Sequence, residues 1–194
     1  MITNLKVILI HGNGGGTAKD HWFPYVVEKL KKLKKKVIAK NFPDPILARQ
    51  RIWLPFLKNK LHTDQNTILI GHSSGAVAAM RYAEQNKILG SILVGACHTD
   101  LGDEQEKKSG YFDHPWNWEA IKRNQCWVIQ FASTDDPYVP ISESRFIHSK
   151  LETEYYEYKN QGHFGGEGKR DKKEFEEIID VLVKKFLYKS EFKK

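Results

Sequence analysis

Cysteine is scarce in this chain of 194 residues: there are two, Cys97 and Cys126, with no metal-ligand spacing between them. A disulfide framework and a cysteine-based zinc site are therefore both disfavoured, and the pair reads as free thiols of a cytosolic protein. Long apolar runs are missing as well; none approaches the roughly 18 residues that a spanning helix needs, so no membrane partner is expected. The opening stretch, Met1-Ile2-Thr3-Asn4-Leu5-Lys6, lacks the charged start and apolar core of a secretion signal. This fits a cytoplasmic location. Internal repeats, low-complexity segments and Pro- or Gly-rich linkers are also lacking, so residues 1–194 are read as a single domain.

What is present is a globular composition, with 40% hydrophobic and 12% aromatic residues. The formal charge is +7. Much of it sits in Lys29, Lys31, Lys32, Lys34, Lys35 and Lys36 and in the segment after Val183. Arginine is sparse in that lysine run, and no aromatic platform for base stacking accompanies it. It is read as a solvated helix face, with no nucleic-acid partner.

Six stretches have the character of strands: Leu5 to Ile10, Val37 to Lys40, Thr67 to Ile70, Leu89 to Val94, Trp127 to Phe131 and Tyr155 to Tyr158. Several are continuously apolar, as parallel strands covered on both faces must be. Helical patterns separate them. Trp22, Phe23, Val26, Val27, Leu30 and Leu33 form one apolar face. Ala48 to Leu61 forms another, with a kink expected at Pro55. Ala76 to Glu84, Ser142 to Leu151, and the face made by Phe175, Ile178, Ile179, Leu182 and Val183 complete the set. The alternation predicts an α/β fold of three layers, doubly wound around a mostly parallel six-stranded sheet.

Gly71-His72-Ser73-Ser74-Gly75 joins the third strand to a helix, which makes it G-x-S-x-G in strand–turn–helix context. Small flanking residues permit a tight turn that lifts Ser73 above the sheet. The N–H of Ser74 then lies at a helix N-terminus, where negative charge is favoured. A serine so displayed is a nucleophile if an acid and a histidine follow in the chain. Four histidines do: His98, His114, His148 and His163. His163 lies in Gln161-Gly162-His163-Phe164-Gly165-Gly166, directly after a strand, where the carboxyl edge of such a sheet collects ligands. His148 falls inside a helical pattern, and His98 and His114 in a long connection. The acid is expected after the fifth strand, in Ser133-Thr134-Asp135-Asp136-Pro137, where spacing alone does not separate Asp135 from Asp136.

His11-Gly12-Asn13-Gly14-Gly15-Gly16 follows the first strand. It lacks the Lys-Ser or Lys-Thr of a phosphate loop but suits an oxyanion loop, whose bare backbone brings N–H groups close to a developing charge. Asn13 or Gly14 would donate one bond and Ser74 the other, with His11 bracing the loop. The connection from Val94 to the helix near Trp118 is long and carries Tyr111, Phe112 and Trp116. It is read either as a roof offering apolar contact to an acyl group or as an aromatic cluster packed on the sheet edge.

Taken together, these residues resemble the α/β-hydrolases, and among them the small serine hydrolases of the retinoblastoma-binding-protein-nine type and their bacterial relatives. The likeness spans nearly the whole chain. It rests on the segments already quoted and on Asn41-Phe42-Pro43-Asp44-Pro45, Ile52-Trp53-Leu54-Pro55-Phe56, and Ser109-Gly110-Tyr111-Phe112. The resemblance implies Ser73 as nucleophile, Asp136 rather than Asp135 as the acid, and His163 as the base. It also locates a departure. Where the mammalian pattern carries L-x-C-x-E, this chain has Leu61-His62-Thr63-Asp64-Gln65, so the retinoblastoma-type binding motif is not preserved.

The expectation is a hydrolase of small-molecule esters or amides, carboxylesterase or aminopeptidase-like, that works through an acyl-enzyme and without a cofactor or metal. The competing expectation is a hydrolase-fold module that binds a protein and catalyses little.

Overall fold

The computed structural model describes residues 5–165 and 171–191; Gly166 of the glycine-rich run lies outside them. Six strands, β1 (Lys6–Ile10), β2 (Lys36–Ala39), β3 (Thr67–His72), β4 (Gly90–Val94), β5 (Val128–Ser133) and β6 (Glu154–Tyr158), form one sheet in the order β2-β1-β3-β4-β5-β6. Every adjacent pair is parallel. The expected strands are all there, with ends moved by a residue or two. β3 outruns its apolar stretch because Gly71 and His72 stay in register with Leu93 and Val94.

Continuous apolar strands are explained by the two cores they serve. Val7 and Leu9 face a core shared with α1 (Phe23–Lys32) and α7 (Glu176–Glu191), while Ile8 and Ile10 face the opposite core. That second core takes in α2 (Gln50–Pro55), α3 (Ser74–Gln85), α5 (Trp118–Arg123) and α6 (Ile141–Leu151). Because successive side chains point to opposite faces, a strand with helices on both sides must be apolar at every position. β6, at the edge, needs less. Its inward Tyr156 and Tyr158 stack on Phe131 at 5.1 and 6.2 Å between ring centres, and the strand is only half-buried.

Local chemistry sets the helix ends. In α1, Pro24 occupies the first turn, where a missing N–H costs nothing, and Lys29, Lys31 and Lys32 complement the dipole in the last turn. The kink expected at Pro55 takes a specific form. The α-helical bonding of α2 ends there and a π-helical turn, Phe56–Lys60, continues to a Leu61 N–H bonded to the Phe56 carbonyl at 3.1 Å. Leu61, which opens the altered L-x-C-x-E stretch, is buried, and the Thr63 hydroxyl donates to the Leu57 carbonyl at 2.8 Å. A further helix, α4 (Glu104–Ser109), lies within the long connection where no helix was expected.

The winding positions the site. The chain passes from β1 to β2 on one side, then crosses to β3 on the other. The loops after β1 and β3 therefore diverge and leave a crevice at their carboxyl ends, the usual ligand site of such a sheet.

Candidate active site

Ser73 occupies the turn between β3 and α3 with φ 56° and ψ −125°. Such left-handed backbone costs a non-glycine residue on the order of 1–3 kcal/mol, and surrounding structure must enforce it. The enforcement is visible. A Cβ on Gly71 would collide with the Gly75 carbonyl, and one on Gly75 with the Ile10 carbonyl, so Gly71 lets α3 start tight against β3 and Gly75 lets it start tight against β1. The Ser73 N–H is tied to the Val94 carbonyl at 2.9 Å. From Ser74 to Ala83 every residue of α3 is buried, which fixes the elbow from behind.

The glycine-rich loop after β1 lies alongside. The Gly12 Cα hydrogen that faces the serine points at a site 3.3 Å from Ser73 Cβ. His11, 2% exposed, braces this loop: its Nδ1–H donates to the Gly12 carbonyl at 2.7 Å and its Nε2 accepts the Phe42 N–H at 2.9 Å. Burial lowers its pKa, consistent with a neutral ring that accepts a bond. The expectation for Gly14 needs correction. Its N–H donates to the Ile46 carbonyl at 3.1 Å, and the N–H of Gly15 donates to the Pro45 carbonyl at 3.0 Å. Bonds that anchor the loop to the 45–46 segment take these two amides out of an oxyanion role and leave Asn13 as the loop's candidate donor.

The two adjacent acids have different partners. Asp136 directs Oδ2 at His163 Nδ1, 2.7 Å away, while its Oδ1 accepts the N–H groups of Tyr138 and Val139, both at 2.9 Å. Its side chain is 2% exposed and that of His163 is 9%. Asp135 turns the other way. Its Oδ1 accepts the Ser133 hydroxyl at 2.7 Å and the Gly162 N–H at 3.0 Å, and the Ser133 oxygen accepts the Gln161 N–H at 3.1 Å. Asp135 therefore holds the backbone that carries His163, and Asp136 holds its ring. From the opposite side His72 donates its Nε2–H to the His163 carbonyl at 2.7 Å. Beneath the pair lies Gly95, with φ +59° and no room for a Cβ, which would fall 2.9 Å from His163 Cε1.

Ser73 and His163 line one cavity of about 580 Å³, together with Gly12, Asn13, Tyr138 and Val139. That volume suits a small molecule. Cys97 also borders it, but burial and then Glu106 raise its thiol well above the ordinary value, which leaves it protonated and inert. Among the described residues, no group of three histidine, cysteine or acidic side chains is arranged to hold a metal ion.

The other histidines lie in other surroundings. His148 sits in α6, hydrogen-bonded to Thr153 Oγ1 at 2.9 Å and stacked on Tyr155. His98 stacks on Phe146 with ring centres 4.1 Å apart. The main-chain carbonyl of His114 accepts from Arg81 at 2.6 Å.

Tyr111, Phe112 and Trp116 do not line this cavity. Tyr111 is fully buried, and Phe112 and Trp116 pack on the core beneath α3. Arg81 explains the arrangement. It is 3% exposed, donates to the carbonyls of Tyr111, His114 and Pro115, pairs with Glu84, and places its guanidinium 3.6 Å from the Trp116 ring centre. A buried guanidinium must find acceptors on all sides, and this stretch of backbone supplies them. These aromatics form a packed cluster, but against the core that α3 shares and not at the sheet edge. The part of the connection that reaches the cavity comes earlier: Leu101, Asp103, Gln105 and Glu106. The signal for it was in the sequence. Asp103 caps α4 by accepting the Gln105 and Glu106 N–H groups at 2.8 and 2.9 Å, and Gly110 ends it at φ 81°, a D-x-x-E start and a glycine stop.

A model of the serine hydrolase family matches residues 7–183. The chain is 46% identical over 184 residues to Serine hydrolase RBBP9 of Rattus norvegicus, covering 94% of this chain and 96% of that protein. Among solved structures it superimposes on the ydeN gene product of B. subtilis with a TM-score of 0.84, at 27% identity, over 94% of this chain and 98% of that one. A carboxylesterase from Nitrososphaera gargenis shares the fold alone, with a TM-score of 0.71 at 15% identity, over 97% and 92% of the two chains. By sequence and by architecture, this chain belongs to the serine hydrolase family.

Proposed function

We propose that the protein hydrolyses small esters or amides by acyl transfer, with Ser73 as nucleophile, His163 as general base and then acid, and Asp136 as the group that orients and steadies the imidazole. The observation that carries this reading is the Asp136–His163 contact of 2.7 Å on the cavity that also contains the strained serine turn. With Nδ1–H committed to Asp136, Nε2 is the nitrogen left to take the Ser73 proton as Oγ attacks the carbonyl carbon. The imidazolium then protonates the leaving group. Water, activated by the same nitrogen, releases the acid from Ser73.

The negative charge of the tetrahedral intermediate would be met by the N–H groups of Ser74 and Asn13. Ser74 is the first residue of α3, where the N–H has no partner within the helix and the dipole favours an anion. Losing one donor of this kind typically costs roughly a hundred- to a thousandfold in turnover.

A panel of acyl and aminoacyl p-nitrophenyl esters and anilides tests the reading and separates esterase from aminopeptidase-like chemistry. Ester turnover is expected in the wild type and not in Ser73→Ala, with thermal unfolding unchanged. A Ser73→Ala protein that turns over as fast as wild type would remove the proposal.

A further inference from the structure

We propose that Glu106, an acid on the connection helix α4, is a positioning residue for acyl transfer, tying together the two chain arms that would hold the oxyanion. The inference rests on the proposed function. Glu106 Oε1 accepts the Asn13 Nδ2–H at 2.6 Å and the Ser74 Oγ–H at 3.3 Å. Asn13 belongs to the loop after β1 and Ser74 to the start of α3, so one carboxyl oxygen spans the crevice between the two arms. These are the two residues whose main-chain N–H groups are assigned to the oxyanion, and the carboxyl grips both by their side chains.

The geometry departs from what α4 alone would dictate. At the third position after an aspartate cap, a glutamate ordinarily folds back to the cap's own N–H. Glu106 reaches across to the neighbouring arms instead, while Asp103 fixes the helix end by itself. Its second oxygen, Oε2, is buried with no hydrogen-bond partner among the described residues. Burial raises the carboxyl's pKa, against the opposing pull of Asn13 and Ser74. The same burial disfavours charge on the carboxyl and so lessens the opposition that a carboxylate here would offer to a developing oxyanion.

The test compares Glu106→Ala, Glu106→Gln, Asn13→Ala and the double variant Asn13→Ala/Glu106→Ala, with p-nitrophenyl acetate as substrate and a fluorophosphonate as probe of Ser73. Glu106→Ala should lower kcat by about ten- to a hundredfold with KM changed less than about threefold, the scale of a misplaced reacting group. Glu106→Gln, whose amide oxygen can accept the same two bonds, should recover kcat to within about threefold of wild type. The double variant should be no slower than the worse single, because both remove one link. A wild-type kcat in Glu106→Ala, a loss confined to KM, equal losses in the Ala and Gln variants, or additive losses in the double variant would each overturn the proposal. Probe reaction separates its failure from that of the underlying reading. No adduct on Ser73 in the wild type sinks the acyl-transfer reading itself, whereas equal labelling rates in wild type and Glu106→Ala sink only the link.

Discussion

Asp135 and Asp136 are neighbours with the same side chain, yet the turn after β5 sends them to opposite tasks. Asp135 spends its Oδ1 on the Ser133 hydroxyl and the Gly162 N–H, and so secures main chain. Asp136 spends one oxygen on two main-chain N–H groups and the other on the His163 ring. A carboxylate fixed by backbone donors on one oxygen presents the other in a set direction, as an orienting acid requires. The comparison teaches that the turn, and not the residue type, decides which carboxyl meets the ring: Pro137 disfavours helical backbone at Asp136, whose Oδ2 is directed at His163 Nδ1.

The sharpest break of that comparison is Asp136→Asn. The amide can still accept the two N–H groups, but its NH2 would face His163 Nδ1 and favour the wrong tautomer. Turnover should fall on the order of ten-thousandfold with little loss of thermal stability, measured by ester kinetics and calorimetry. Asp135→Ala should do less to activity and more to the fold. It removes two hydrogen bonds worth roughly 0.5–1.5 kcal/mol each and loosens the 161–163 segment, so kcat should fall by about tenfold.

His72 holds that segment from the other side, and it supplies a pH test. Burial, then the nearby His163, press the pKa of His72 well below 6.5, and burial lowers that of His11 from the same value. Below pH 6.5 the unfolded chain therefore binds protons that the folded protein refuses. The stability these two rings contribute is complete above that pH and is lost as the pH falls toward the folded-state values. The thermal midpoint should drop steadily on acidification, and His72→Gln, which keeps an N–H donor and cannot titrate, should flatten part of the slope. The smallest effect belongs to Asp135→Asn. Its amide oxygen can accept the same bonds, so kcat should stay within about threefold of wild type. If Asp135→Asn and Asp136→Asn lose activity alike, the division of labour between the acids is wrong.

The strands were legible because a parallel sheet buried on both faces needs apolar residues at every position, as in Val7-Ile8-Leu9-Ile10. The serine turn was legible because Gly71 marks where α3 comes too close to β3 for a side chain, and Gly75 where it comes too close to β1. The choice between the acids was not, because it depends on which oxygen meets which N–H after folding. Nor was the character of the 95–118 connection. Tyr111 and Trp116 carry the composition of a binding surface, yet a single arginine in α3, buried by the packing of other elements, draws them inward. Glu106 reads in sequence as one more charged surface residue. Its partners lie 93 and 32 positions away, a separation that no local pattern encodes.

The most direct measurement is intact-mass and peptide mapping after reaction with a fluorophosphonate. One adduct per chain, on Ser73, slowed severely in His163→Ala and absent in Ser73→Ala, is the predicted result. An adduct on another residue, or an unreactive wild-type protein that is folded and monodisperse, would contradict acyl transfer at this turn.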